Sequence, residues 1–166
     1  KLALARGVQS WGALSELQAA VLLPQLQQLP ERTTLRATHV QFLRDKLAAI
    51  AGLSMFTNTI PESVSAYYKV GFFFNAAQFG LSREMFVQAL RAEGIAFDVG
   101  FRATHLGRSA SRFRAVGTLN NATAASEQVV MLHHPVLSLS LGDVEKVVLA
   151  IEKTARNVAR FKTTSK

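Results

Sequence analysis

Ala66-Tyr67-Tyr68-Lys69-Val70-Gly71-Phe72-Phe73-Phe74-Asn75 is the stretch that decides the fold class. Aromatic and β-branched side chains fit a pleated, half-buried surface, so this run predicts a strand. Its close-set rings predict burial on at least one face. The period then changes. Over Leu81 to Glu93 the apolar residues Met85, Phe86, Ala89 and Leu90 recur at helical intervals, with Ser82 as N-cap and Gly94 just past the end. Ile95 to Phe101 predicts a second strand.

Upstream, Leu53 to Phe56 reads as a short strand, followed by a loop over Thr57 to Ser65 around Pro61. Before it lies a helix from about Pro30 to Ala51, with Leu35, His39, Phe42, Leu43, Leu47 and Ile50 on one side and Gly52 as its stop. An earlier helix, about Leu14 to Leu29, contains Pro24, which predicts a kink, and Leu29-Pro30 reads as the junction between the two. Downstream, residues 102–122 are irregular and arginine-rich. Val129 to Leu132 and Val136 to Leu139 are short apolar runs around His133-His134-Pro135. A last helix, about Gly142 to Phe161, carries Val144, Val147, Val148, Ile151, Ala155 and Val158 at helical spacing, and Thr163 to Lys166 is a polar tail. The pattern is an α+β fold, with helices packed on a small, mainly antiparallel sheet.

The 166 residues suffice for one domain with a real core, and 49% of them are apolar, which excludes a disordered chain. The absence of cysteine excludes disulfides, thiolate zinc sites and a cysteine nucleophile, and fits a reducing cytoplasm. The net charge is +8. Its basic residues are scattered, without a run of four and without the interleaved aromatics of an RNA-binding motif, so a solvated basic surface is expected and nucleic acid is not. No apolar stretch reaches the ~20 residues of a membrane span. No paired acid/base carboxylates and no nucleophile elbow are evident. Glu16, Glu84, Asp143 and Glu145 suit helix N-termini, where the helix dipole favours negative charge. His39, on an apolar helix face, reads as a packing residue. His133 and His134, adjacent on a strand, point to opposite faces and make a poor metal pair, so no metal site is expected.

Ser15-Glu16-Leu17-Gln18-Ala19-Ala20-Val21, with Gln25-Leu26 after it, opens the first helix: Ser15 is its N-cap and Leu17, Ala20 and Val21 recur at i, i+3, i+4. The literal string resembles the S-E-L-Q-A-A…Q-L segment of the DegT/StrS family of sugar aminotransferases, which depend on pyridoxal 5'-phosphate (PLP). Further features follow in that family's order. A helix ends near Gly52, Tyr68 begins a strand, and the Leu81–Gly94 helix runs into Gly94-Ile95. Phe101-Arg102-Ala103-Thr104-His105 sits where the family often has an aromatic-x-P-x-H turn. His134-Pro135-Val136-Leu137 and the closing helix from Asp143 to Ile151 complete the set.

The resemblance implies the small C-terminal domain of a fold type I PLP aminotransferase, with residues 1–29 as connecting segment and interdomain helix and 30–166 as the domain itself. The large PLP domain, which in the family supplies the Schiff-base lysine, would lie outside this chain. The implied reaction moves an amino group from an amino-acid donor to a keto sugar or keto-cyclitol, in a cytoplasmic homodimer of sugar biosynthesis. A PLP-dependent sugar dehydratase of the same family and a catalytically degenerate interaction or regulatory domain are the alternatives. One departure stands out: in Gln9-Ser10-Trp11-Gly12-Ala13-Leu14, Trp11 occupies the place of a family asparagine that reaches the cofactor phosphate. An indole offers one N–H donor and no amide, so that contact is not carried over, and no cofactor-binding or catalytic residue is assigned. The family's loop folds back toward the active-site mouth, which makes His105, Arg102 and Arg108 the candidate substrate-binding residues, the imidazole for a sugar hydroxyl or a proton and the guanidiniums for a diphosphate or carboxylate.

Overall fold

The structure, a computed structural model, describes residues 14–163. The segment holding Trp11 lies outside them. The chain divides into two compact units, Lys1–Arg32 and Thr33–Lys166.

In the first unit, helix α1 (Glu16–Leu47) begins with a reciprocal cap: Ser15 Oγ accepts from the Gln18 N–H at 3.2 Å, and Gln18 Oε1 accepts from the Ser15 N–H at 2.9 Å. The expected junction at Leu29-Pro30 is not a break, because α1 runs through both Pro24 and Pro30. Each proline forfeits one N–H bond, and the five residues between them, all Gln or Leu, are good helix formers. Leu17, Val21, Leu22, Leu23, Leu26 and Leu29 of this unit are exposed.

The second unit holds the core. The α1 residues buried there are Arg36, His39, Val40, Leu43 and Leu47. Leu35, expected on that face, is exposed, and Arg36 takes the inner place. Its guanidinium is satisfied, since Nε donates to the Ala66 carbonyl at 2.8 Å and Nη2 to Thr33 Oγ1 at 3.1 Å. His39 packs as expected, its Nδ1–H donating to the Leu137 carbonyl at 2.9 Å. The helix stops at Leu47, four residues before the expected end. Gly52 instead closes the turn into β1 (Leu53–Met55), with φ +78.

Strands β1, β2 (Lys69–Phe74), β3 (Phe97–Asp98) and β4 (Val129–His133) form one antiparallel sheet in the order β1-β2-β4-β3. The register sets Val70 opposite Leu132 and Phe97 opposite Leu132, so Leu53, Val70, Phe72, Phe74, Phe97, Val130 and Leu132 share the buried face. Against it pack α3 (Arg83–Ala92) and α5 (Leu141–Arg156), burying Phe86, Val87, Leu90, Val144, Val147, Val148 and Ile151. Phe86 is the hub of the ring cluster, 4.7 Å from Phe74, 5.0 Å from Phe79 and 5.8 Å from Phe97 between centroids.

Helix α3 begins and ends where its sequence predicts. Ser82 Oγ accepts from the Met85 N–H at 3.2 Å. At its other end Ile95 N–H reaches the Leu90 carbonyl at 2.9 Å and Gly94 N–H the Arg91 carbonyl at 3.0 Å, a Schellman closure around a left-handed glycine. Other expectations need correction. The strand foreseen over 95–101 is reduced to two residues, because left-handed Gly100 turns the chain away where a Cβ would meet the Val129 carbonyl at 3.0 Å. Val136 to Leu139 lies mostly in a 3-10 turn (His134–Ser138) that Pro135 initiates. The closing helix breaks at Asn157 into α5 and α6 (Val158–Thr163), so Thr163 is helical. Two helices were unforeseen: α2 (Ala76–Phe79), capped by Asn75, and α4 (Asn120–Gln128).

Candidate functional site

The outer face of the sheet carries Lys69, Gly71, Phe73, Asp98, Val129, Met131 and His133, by the same registers. Phe56 lies over Gly71, where an added Cβ would fall within 2.6 Å of its ring, and its ring is tilted at 54° against that of Phe73, 4.5 Å away between centroids. Lys69 Nζ sits 4.7 Å from the centre of the exposed Phe101 ring.

Phe101 opens the arginine-rich loop. Among residues 99–126 there is no Asp or Glu, while Arg102, Arg108, Arg112 and Arg114 all fall in that span. All four are exposed, and none pairs with a carboxylate among the described residues. The loop is tied to α4 at two points. Ser126 Oγ accepts from the Ala103 N–H at 3.0 Å, and His105 Nε2 lies 3.1 Å from Thr123 Oγ1. α4 is in turn tied to the start of α3, where Arg83 Nη1 donates to the Ser126 carbonyl at 2.6 Å. His105 is half-buried, its ring 6.2 Å from that of Phe113. Arg102 folds back on the turn that carries His105: a Cβ on Gly107 would come within 2.5 Å of its Nη2, so glycine leaves room for the guanidinium. Arg108 leaves the same turn, its N–H bonded to the His105 carbonyl at 3.4 Å.

The three sequence-predicted residues therefore share one loop, with the imidazole held by Thr123 and neither guanidinium paired with a carboxylate among the described residues. Such a surface can take an anionic group through the arginines and a hydroxyl through the histidine. An open groove of about 550 Å³ lined by Leu53, Phe73, Asn75, Gln78 and Glu127 includes none of the three. Sequence reasoning missed Thr123 and Ser126. Their signal was a polar i, i+3 pair in a run with no apolar stripe.

A second charged cluster lies where β3 meets β4. Asp98 accepts from His133 Nε2 at 2.5 Å and from Arg91 Nη2. The His133 hydrogen bond, foremost, holds the Asp98 carboxyl below its usual range. Partial burial opposes this, and the charges of Arg91, His133 and Lys69 reinforce it. His134 goes another way, stacked on Tyr68 at 4.8 Å. Among the described residues no three His, Cys, Asp or Glu side chains converge as metal ligands do.

The PLP implied by the sequence resemblance does not fit the described residues by themselves. Lys46 lies over Phe42, Lys69 over Phe101, Lys146 pairs with Asp143 and Lys153 with Glu93. None of these is left as a buried free amine for covalent attachment.

Comparison with known proteins gives one consistent picture. The family model described as the DegT/DnrJ/EryC1/StrS aminotransferase family matches residues 7–152. A Streptoalloteichus tenebrarius protein provisionally named L-glutamine:3-amino-2,3-dideoxy-scyllo-inosose aminotransferase is 28% identical over 165 residues, 87% of this chain and 40% of that protein. The chain thus spans about 40% of that relative's length. The crystal structure of 3-amino-5-hydroxybenzoic acid synthase superposes with a TM-score of 0.69 at 26% identity, over 89% of this chain and 39% of the other. DesI, solved in the presence of its TDP-sugar product, matches in fold, with a TM-score of 0.74 at 18% identity over 91% of this chain and 38% of its own.

Proposed function

The chain belongs to the DegT/DnrJ/EryC1/StrS aminotransferase family, and from that membership we propose that it is the small C-terminal domain of a PLP-dependent aminotransferase acting on a keto sugar or keto-cyclitol. The observation that carries the reading is the family match over residues 7–152 combined with coverage of only about 40% of the relative's length. A partial chain of this fold, without a lysine suited to the cofactor among its described side chains, fits a domain whose chemistry is supplied elsewhere in a longer protein. PLP when bound serves such enzymes as an electron sink. This chain's own part is to bind and orient substrate. The loop carrying Arg102, His105 and Arg108 is the substrate-facing surface, with the guanidiniums on an anionic group and the imidazole on a hydroxyl. Residues 1–29 form the connecting segment and 30–166 the domain. The exposed Leu17, Val21, Leu22, Leu23, Leu26 and Leu29 give the segment an apolar surface suited to cover by the cofactor domain or by the partner subunit of a homodimer. The protein works in the cytoplasm.

The test is the intact mass of the protein from its native source, before and after borohydride reduction. A longer chain that gains a reduced PLP adduct supports the aminotransferase reading. A longer chain that binds PLP without a reducible lysine linkage replaces it with the dehydratase reading. A native chain that begins near Lys1 and gains no adduct overturns both and leaves a degenerate binding domain.

A further inference from the structure

Two histidines of this chain are held by opposite nitrogens, and the difference assigns a role to Thr123. The Thr123 hydroxyl has one proton, and its 3.0 Å bond to the Leu119 carbonyl uses it, since a carbonyl only accepts. The second contact of the same oxygen, 3.1 Å from His105 Nε2, must then run the other way, with Nε2–H donating. A neutral imidazole has a single N–H. His105 is therefore the Nε2–H tautomer, and Nδ1, which has no partner among the described residues, carries the lone pair. His39 is the reverse case, because its Nδ1 faces the Leu137 carbonyl and must hold the proton.

We propose that Thr123 is a positioning residue that fixes the tautomer of His105, so that Nδ1 is the atom by which this turn receives a ligand hydroxyl. An Nδ1 lone pair accepts from a hydroxyl and repels an unprotonated phosphate or carboxylate oxygen, which leaves anionic groups to Arg102 and Arg108. Ser126 supports the same arrangement by holding the Ala103 N–H, and Arg83 anchors the helix that presents both hydroxyls. The division of labour rests on the substrate-facing reading of the loop; the tautomer does not.

The experiment labels the histidines of the full-length protein with nitrogen-15 and records long-range nitrogen–proton correlations at about pH 8, where an ordinary imidazole is neutral. Loss of one signal set in His105→Gln identifies the residue. The expected result is a pure Nε2–H pattern for His105, its partial averaging toward the Nδ1–H form in Thr123→Val and its return in Thr123→Ser, with the other histidine signals unmoved as the check on folding. An Nδ1–H pattern, or a pattern unchanged in Thr123→Val, overturns the proposal and leaves the proposed function standing. Addition of myo-inositol is expected to shift the Nδ1 resonance, whereas inorganic pyrophosphate is not. The correct tautomer with no response to myo-inositol overturns the hydroxyl contact together with the substrate-facing reading.

Discussion

Asp98 shows how one side chain serves both the fold and its response to acid. It joins Arg91 of α3 to His133 of β4 across the two-residue strand β3. Its folded-state carboxyl is held below the ordinary range, first by the His133 hydrogen bond. A depressed carboxyl adds stability that is fully present above the unfolded value of about 4 and is lost as pH falls through the lower folded value. Asp98→Asn is expected to lower the melting temperature slightly at pH 7 and to flatten its fall as pH drops below about 4. Asp98 is 38% exposed and Arg91 56%, so solvent screening caps the neutral-pH effect at about 1 kcal/mol. An acid limb of unchanged steepness in the variant would assign the pH response to other carboxylates.

Among the secondary-structure elements, glycines make the sharpest contrast. Gly94 and Gly52 both have left-handed φ, +82 and +78. A Cβ at Gly94 meets nothing within 4 Å, whereas one at Gly52 would lie 2.6 Å from the Phe79 nitrogen and 2.8 Å from the Asn75 oxygen. Gly94→Ala is expected to cost about 1–2 kcal/mol, from backbone strain alone. Gly52→Ala adds roughly 1–3 kcal/mol of overpacking, because the atoms in its way are backbone. Urea unfolding midpoints measured at constant m-value check the order, and equal costs would contradict the close approach of β1 to α2. The same elements explain what the sequence makes legible. Helix α3 reads correctly because cap, stripe and terminal glycine agree; β2 reads as a strand through its aromatics, but it starts only at Lys69, after Tyr67 takes a left-handed φ of 48. Helix α4 was hidden, since NNATAASEQ buries no side chain and has no apolar period to detect. The His105 turn came only from the family resemblance. Thr123, which holds His105, offers only its i, i+3 pairing with Ser126, and such a pair in a polar run looks like any surface residue.

For the chain as a whole, stability and apolar exposure are separated along the sequence. The buried hydrophobic residues run from Val40 to Ile151, all within the Thr33–Lys166 unit. The leucines of α1 ahead of Arg32 are exposed at 46% or more, a concentration that favours association over solubility. The core of the second unit draws no buried hydrophobic residue from residues 14–32, so that unit should fold without them. A chain beginning at Thr33 is therefore expected to unfold in one cooperative transition, with a melting temperature within about 4 °C of the parent, equivalent to less than about 1 kcal/mol. It should also bind markedly less of a dye that reports exposed apolar surface. Calorimetry with dye titration on both chains decides this. Loss of the cooperative transition on deletion would make the leucine segment part of the fold itself rather than a surface held ready for the rest of the protein.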